Sequence, residues 1–115
     1  MAVGCSSNRE GADDTCAAIE ALGSEALAFQ ADVSDPAALD AAFGEVEVAW
    51  GKVEVLVANA GVTGDGLSLR MTDDQWNRVL RTNLDGAFYA MRRAMPGMVR
   101  ARWGRTMPGM ARRMA

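Results

Sequence analysis

The feature that most constrains the fold is a nine-residue run at 53–61, which reads VEVLVANAG. Apolar residues rich in valine and bounded by turn residues are typical of a strand that is buried on both faces. The run ends in Asn-Ala-Gly, whose small side chains leave room for another group to approach the main chain. A strand of this kind needs helices on its faces, so the neighbouring segments decide the fold class.

Strand and helix patterns alternate before this run. Helical spacing of apolar residues begins near Asp13 and stops at Gly23, where Ala12, Cys16, Ile19 and Leu22 share one face. A second helix starts at Ser34-Asp35-Pro36 and ends at Gly51, because Ser or Asp caps a helix and Pro suits its first turn. The predicted strands are Met1–Cys5, Ala26–Val33 and the opening run.

The clearest helix follows a glycine-rich loop. Thr72 and Gln75 have the spacing of a capping box, and apolar residues then repeat at three- and four-residue steps from Trp76 to Met95. Pro96, followed by glycine, is expected to kink this helix rather than end it. Strands separated by helices indicate parallel β-α-β units, which bind nucleotides at the carboxyl ends of their strands.

Composition limits the class of protein. The chain has 115 residues and a net charge of -3, and its hydrophobic content of 50% is ordinary for one soluble domain. The charge is uneven, since residues 70–115 hold ten Arg and three acidic residues. Two separated cysteines and no histidine indicate reduced thiols and no metal site. Without a signal peptide or an apolar span, a soluble cytoplasmic protein is expected.

Two motifs together carry a family resemblance. The segment VLVANAG is followed by GDGLSLRMTDDQWNRVLRTNLDGAFYAMRRAMPGMVRARWGR, which places Asn-Ala-Gly about two dozen residues before Thr82-Asn83-Leu84 and Gly86. In this pairing the chain resembles the short-chain dehydrogenase/reductase family, and within it the 3-oxoacyl-acyl-carrier-protein reductases. The resemblance runs from Met1 to about Arg105 and covers only about the middle part of the family's domain.

The resemblance implies an α/β fold with a partial Rossmann-type parallel sheet of about three strands, flanking helices and one long helix. Residues 1–105 would form a partial dinucleotide-binding domain, and residues 106–115 a divergent basic tail. In the family's sheet the first strand lies between the second and the fourth, and the chain starts at what resembles the second. The strands at Met1 and Val53 would then have exposed edges. If they close up, the expected order is Ala26, Met1, Val53.

The resemblance also assigns roles to residues at the ends of the strands. Asp32 and Val33 match the pair that holds the adenine ring, and Asn83 matches the catalytic asparagine, which holds a water and bends its helix locally. Asn59, Ala60 and Gly61 match the second cofactor segment. Two structural alternatives remain open: Asp32 could simply end a strand and receive backbone donors from the next helix, and Asn83 could be an amide on a helix face.

The resemblance also indicates which residues select the cofactor and which contact a partner protein. Ser6, Ser7 and Arg9 follow the strand whose end selects the cofactor, and they suit the extra phosphate of NADP, where an acid would suit NAD. Arg9 is expected to be exposed and alone, so it gives only weak support. Arg100 and Arg102 match a basic segment that faces the acidic carrier protein in the reductases. An exposed basic end without any partner is the alternative.

Parts of the family's catalytic machinery are not found in this sequence. The only tyrosine, Tyr89, is followed four residues later by Arg93, and the only lysine is Lys52, so there is no Tyr-x-x-x-Lys pair. The family's opening Thr-Gly-x-x-x-Gly-x-Gly turn is not found either. Near the C-terminus, Pro108-Gly109 argues against the buried strand that the family has next.

Three functions therefore stay open. The first is an NADP-dependent oxidoreductase of fatty-acid biosynthesis that reduces a ketone to a secondary alcohol by hydride transfer, inactive as this chain. The second is a non-catalytic partner that docks on intact family subunits, or on itself, through the long helix. The third is a basic-tailed binder of an acidic partner such as acyl-carrier protein. Neither nucleic acid nor a membrane is an expected partner.

Overall fold

The computed structural model describes residues 1–109, in which parallel strands alternate with helices. The predicted α/β class with one long helix is confirmed, and four strands are present where about three were expected. The elements are β1 (Ala2–Cys5), α1 (Arg9–Ala21), β2 (Leu27–Gln30), α2 (Pro36–Trp50), β3 (Val55–Ala58), a short 3-10 helix (Ser68–Arg70), α3 (Asp73–Leu80), a π-helical segment (Arg81–Asp85), α4 (Gly86–Ala101) and β4 (Arg105–Pro108).

The strands form two separate parallel pairs. β1 pairs with β2, with Ala2 opposite Leu27, and β3 pairs with β4, with Val55 opposite Arg105. Within the described residues β1 and β3 are not hydrogen-bonded to each other. The three-stranded arrangement expected if the edges closed up is therefore wrong.

β4 forms even though Pro108 and Gly109 argued against a buried strand there. The backbone N–H groups of Arg105 and Gly109 donate to Glu54 (3.0 Å) and Ala58 (2.8 Å) of the β3 segment. Alternate residues of a strand face opposite edges, so the nitrogen of Pro108 points away from β3 and its missing hydrogen costs no bond. β4 crosses the domain boundary predicted at residue 105, while residues 110–115 of the predicted tail lie outside the described part.

The core lies between α2 and α4. Ala94 and Leu39 are the most buried members, with 3% and 4% of their surface exposed. Side chains from both strand pairs reach this core, since Val33 follows β2 and Leu56 belongs to β3. One helical layer therefore connects the two pairs. Its buried residues are Leu39, Phe43, Ala90, Ala94 and Met98.

An arginine fork fastens the same two helices. The Nη1 and Nη2 atoms of Arg93 donate to Glu47 Oε1 (3.0 Å) and Oε2 (2.7 Å), and its Nε donates to Asp40. The guanidinium also lies over the Phe43 ring, 5.4 Å from its centre. The hydrogen bond from Arg93 lowers the pKa of Glu47, and the bond to Glu47 raises the pKa of Arg93. Two-point pairing of this kind is stronger and more directional than a single contact.

Two sequence expectations for the first helices need correction. α1 begins at Arg9, four residues before Asp13, because the Asn8 side chain accepts from the Gly11 N–H (3.0 Å) and caps the helix earlier. Leu22 lies beyond the helix and is 86% exposed, so it does not share the buried face of Ala12 and Cys16.

The long helix, which comprises α3, the π-helical segment and α4 and runs from Asp73 to Ala101, starts as the sequence predicts. The hydroxyl of Thr72 accepts from the Gln75 N–H (3.2 Å), and the Gln75 side chain accepts from the Thr72 N–H (3.0 Å), which confirms the capping box. Pro96 lies inside α4, so the helix continues past it to Ala101. In the part of the chain that the structure describes, no helix has both the length and the apolar character needed to cross a membrane.

Candidate functional site

A π-helical turn interrupts the long helix at the position of Asn83. The Asn83 Oδ1 accepts from the Val62 N–H (2.8 Å), and its Nδ2 donates to the Val62 carbonyl (2.9 Å). One amide side chain thus binds both backbone groups of the residue that follows Gly61. The turn is the local irregularity that the resemblance implies at Asn83, and it fixes the chain immediately after β3. The catalytic role of Asn83 stays a prediction.

Gly86 brings the other end of this turn against the chain that follows β2. A Cβ at Gly86 would lie 2.7 Å from Val33 Cγ2 and 3.2 Å from the Val33 carbonyl oxygen, so only glycine fits without a shift. The long helix therefore contacts the chain beyond β2 through Gly86 and the chain beyond β3 through Asn83. The two strand ends that carry the predicted cofactor residues are held by one helical segment.

Asp32 forms a local turn at the end of the β2 segment. Its Oδ1 accepts from the Ser34 N–H (2.9 Å) and from the Ser34 hydroxyl (2.8 Å). The backbone hydrogen bond from Ser34 lowers the pKa of this carboxyl group, so it is ionised at neutral pH. Asp32 thus receives a backbone donor, as the structural alternative has it, but the donor belongs to Ser34, which precedes α2, and not to the helix itself. The proposed contact with adenine is compatible with this turn but is not tested by it.

The segment Asn59-Ala60-Gly61 is exposed and follows β3 directly. Its asparagine lies against the backbone after β4, since a Cβ at Gly109 would come within 2.7 Å of Asn59 Cγ. The side chain of Asn59 thus touches the end of the neighbouring strand, while Ala60 and Gly61 present little bulk. This edge of the structure is open to an approaching ligand.

The residues predicted to select the cofactor phosphate lie at the end of β1. Ser6, Ser7 and Arg9 are all exposed. The expectation that Arg9 is alone is wrong, because its Nε donates to Asp13 Oδ1 at 3.0 Å on the same helix. The side chains of both partners are more than half exposed, at 51% and 56%, so water screens this ion pair and makes it weak.

The structure does not bring the predicted carrier-protein residues to this edge. Arg100 lies in the last turn of α4, and Arg102 ends the helix with a left-handed backbone (φ 54°). At a rise of about 1.5 Å per residue, they lie roughly 25 Å along the helix axis from Asn83. Both are exposed.

Tyr89 and Arg93 have structural surroundings in place of a catalytic pair. Tyr89 is half-buried, packs on the α2–α4 core and lies 5.9 Å from the Phe88 ring, while Arg93 is bound by Glu47 and Asp40. Val62 is the site residue that sequence reasoning missed. It contributes backbone groups only, so its side chain carries no signal of this role.

Comparison with known proteins identifies the family. The family model for short chain dehydrogenase matches residues 1–107. A curated relative, the 3-oxoacyl-[acyl-carrier-protein] reductase FabG of Staphylococcus aureus, is 38% identical over 104 residues, which is 90% of this chain and 42% of the relative. FabG of Escherichia coli K12 is 36% identical over 84 residues, 73% of this chain and 34% of its own length.

A solved structure agrees with this placement. A double mutant of a Serratia marcescens short-chain dehydrogenase/reductase superposes with a TM-score of 0.79 at 29% identity, over 84% of this chain and 39% of that one. The chain thus spans less than half the length of these relatives. Because the family model covers nearly all of it, the chain belongs to the short-chain dehydrogenase family.

Proposed function

We propose that this chain carries the adenosine-binding part of an NADP site of the kind found in 3-oxoacyl-acyl-carrier-protein reductases, and does not complete hydride transfer by itself. The observation that carries the proposal is the double attachment of the long helix. Asn83 holds the chain after β3, and Gly86 lies against Val33 after β2. The carboxyl ends of parallel strands are where α/β folds bind nucleotides.

The residues at this edge fit an adenosine group. The ionised carboxylate of Asp32 is exposed and uses Oδ1 for Ser34, and the adenine amino group is a donor that needs an acceptor of this kind. Val33 adds a half-buried apolar side chain, and the small exposed residues 60–61 let a flat ring approach the backbone. When bound, NADPH would supply the hydride that reduces a ketone to a secondary alcohol.

Preference for NADP over NAD rests on the end of β1. The exposed segment 6–9 contains two hydroxyls and Arg9 but no acid that would bind a ribose diol. Because its ion pair with Asp13 is screened by water, the guanidinium of Arg9 is available to a phosphate at little cost. A phosphate is a stronger partner for a guanidinium than an uncharged ribose hydroxyl is, because the phosphate is charged and accepts two parallel hydrogen bonds from the guanidinium.

The proposal that this chain does not reduce a ketone by itself rests on where its only tyrosine and its only lysine lie. Tyr89 and Arg93 are engaged in the α2–α4 layer, and Lys52 pairs with Glu54 at 3.3 Å. None of them is arranged as the tyrosine-lysine pair with which the family transfers a proton. A 3-oxoacyl substrate and a place in fatty-acid biosynthesis follow from the named relatives and belong to this proposal.

A fluorescence titration with NADPH and NADH, alongside circular dichroism, tests the proposal. We expect saturable binding that favours NADPH and a roughly tenfold loss for Asp32→Ala, since a hydrogen bond to a charged group contributes about 1.5 kcal/mol. Asp14→Ala is the matched control, because Asp14 is an exposed acid on α1. Arg9→Gln should weaken NADPH and leave NADH unchanged. A folded chain that binds neither nucleotide would overturn the proposal.

A second candidate function is docking, either on intact family subunits or on another copy. The observation that favours it is a row of exposed apolar side chains on the long helix. Light scattering after size exclusion, with and without an intact reductase, should detect a complex that Phe88→Arg disrupts. Leu22→Arg, at another exposed apolar position, is the control. The row comprises Trp76, Leu84, Phe88, Met95 and Val99.

Contact with an acidic carrier protein is proposed for Arg100 and Arg102. Both are exposed at one end of the long helix, and no acidic residue occurs after Asp85. Binding of acyl-carrier protein should weaken as salt is added and should fall when both arginines are replaced by glutamine. Arg70→Gln with Arg78→Gln is the control of equal charge. Equal losses in both double variants would indicate a general charge effect and contradict the assignment.

A further inference from the structure

The dipeptide Asp-Gly occurs twice in the chain, in two different environments. Asp65-Gly66 lies in the glycine-rich loop between β3 and the 3-10 helix, and Asp85-Gly86 lies where the π-helical segment meets α4. This dipeptide is chemically reactive, because the backbone nitrogen of the glycine can attack the side-chain carboxyl carbon of the aspartate and glycine has no Cβ to obstruct the attack. The local structure decides which of the two pairs reacts.

The pair in the loop is exposed and has open space around its backbone. Both Asp65 and Gly66 are exposed, and a Cβ at Gly66 would meet no atom within 4 Å. Among the described residues, the N–H of Gly66 donates to no carbonyl, and the carboxylate of Asp65 takes part in no ion pair. The nitrogen and the carboxyl group are therefore free to approach each other.

The chain is held on both sides of this pair. Before it, Gly64 lies against α3, since a Cβ at Gly64 would come within 2.8 Å of Val79 Cγ2. After it, the carbonyl of Leu67 accepts from the Arg70 N–H at 2.8 Å. Asp65-Gly66 is thus a two-residue link between two fixed points. Because the link is exposed and lacks such contacts, its conformation changes at little cost in free energy.

The pair in the long helix is held by its own backbone. Gly86 is buried, and its N–H donates to the carbonyl of Arg81. Asp85 has helical backbone angles, with φ -65° and ψ -40°. Attack on the carboxyl carbon closes a five-membered ring, which requires the Cβ of Asp85 to eclipse the nitrogen of Gly86, and the helical ψ keeps these two atoms apart. The helix must therefore open before this pair reacts.

We propose that Asp65 is a site of spontaneous covalent modification, at which aspartate isomerises to isoaspartate through a cyclic succinimide. The nitrogen of Gly66 forms a bond with Cγ of Asp65, and one water molecule is released. One water molecule then adds to the main-chain carbonyl carbon of Asp65 and breaks its bond to the nitrogen. The main chain now runs through Cβ and Cγ, and the α-carboxylate is free. Addition of the water at Cγ restores aspartate, and no reactant other than water is needed.

The modification changes the length of the main chain and not its charge. Isoaspartate adds one carbon atom to the main chain, which is about 1.5 Å of bond length. Because Gly64 and Leu67 are held on either side, the longer link keeps both contacts only if it bulges outward. The open space around Gly66 accommodates such a bulge. We therefore expect the modified chain to stay folded. The proposal does not depend on cofactor binding.

Peptide mapping of the full chain, incubated for several weeks near neutral pH, tests the proposal. Mass spectrometry with electron-transfer fragmentation distinguishes isoaspartate from aspartate at each position. We expect isoaspartate to accumulate at Asp65 at least about tenfold faster than at Asp85, because an exposed loop opens at far lower cost in free energy than a helix does. In guanidinium chloride, which unfolds the chain, the rates at the two positions should become similar.

The matched control is Gly66→Ala. Its methyl group fits the open space at this position, so the fold should be unchanged by circular dichroism, but it obstructs the attacking nitrogen and should slow isomerisation at Asp65 at least several-fold. Equal rates at Asp65 and Asp85 in the folded chain, or an unchanged rate in Gly66→Ala, would overturn the proposal. A difference between the two positions that persists in guanidinium chloride would also overturn it, because the neighbouring sequence and not the structure would then set the rates.

Discussion

The helical layer and the strand layer of this molecule differ in how completely they are packed. In the helical layer, Phe43 of α2 and Ala94 of α4 are 6% and 3% exposed. In the strand layer, Val55 and Val57 of β3 remain about half exposed. This difference in exposure indicates that the two strand pairs are joined through side chains of α2 and α4, and not through a continuous sheet.

The largest effect is expected from removing the central aromatic ring of the helical layer. Phe43→Ala should lower the free energy of unfolding by about 3–4 kcal/mol, because it removes a buried ring and leaves a cavity. Phe88→Ala is the matched control, since Phe88 is 52% exposed on the same layer, and it should cost under about 1 kcal/mol. Urea unfolding followed by circular dichroism measures both. Similar losses of unfolding free energy in the two variants would contradict the close packing of Phe43 in the helical layer.

Loss of the arginine fork should have the next largest effect. Arg93→Ala leaves Glu47 and Asp40 without their shared cation and should cost about 1–2 kcal/mol. Arg92 is exposed and contacts only the Phe88 and Tyr89 rings among the interactions of the described chain, so Arg92→Ala should cost less. Arg93→Lys should recover only part of the loss, because lysine cannot bind a carboxylate at two points. Full recovery would show that charge alone matters.

Acid should weaken the helical layer in a defined pH range. The Arg93 bond lowers the pKa of folded Glu47 below 4.5, its value in the unfolded chain. The bond therefore stabilises the fold above about pH 4.5, and this contribution is lost as the pH falls through the lower pKa of the folded state. Glu47→Gln should be less stable at pH 7 and should flatten the pH dependence below 4.5. An unchanged profile, measured by thermal unfolding, would contradict the assignment.

The smallest effect concerns the end of the long helix. Arg102 adopts φ 54°, which strains a residue with a Cβ, whereas glycine adopts it freely. Arg102→Gly should leave the unfolding free energy unchanged or slightly higher. Arg100→Gly, inside the helix, removes the same charge and should cost about 1 kcal/mol. Thermal unfolding of the two variants should thus give different results, and a larger loss for Arg102→Gly would be evidence against the strained cap.

Much of the fold is predictable because local chemistry and the final structure agree. The helix capped by Asp35 starts at Pro36 as predicted, and the capping box at Thr72 is present. The sequence does not predict β4, because Pro108 has no backbone N–H and so argues against a strand. In the structure the hydrogen bonds between β4 and β3 need no N–H from Pro108. The register that makes it harmless depends on contacts with β3, which lie far away in sequence.

The candidate site is less predictable than the fold. The resemblance singled out Asn83 and Gly86, but not what each touches. Asn83 binds the backbone of Val62, and Gly86 lies against Val33. These contacts join residues more than 20 positions apart, and one of them uses no side chain of its partner. Similarly, the ion pair of Arg9 with Asp13 follows from where α1 begins, which Asn8 decides.

The central claim is that the helical layer, and not the sheet, connects the two strand pairs. Amide hydrogen exchange along β3 in the free chain tests it most directly. The account predicts slow exchange at Leu56 and Ala58, which face β4, and fast exchange at Val55 and Val57, which face the unpaired edge. Uniformly slow exchange at all four amides in dilute protein would contradict it, because β3 would then be bonded on both edges.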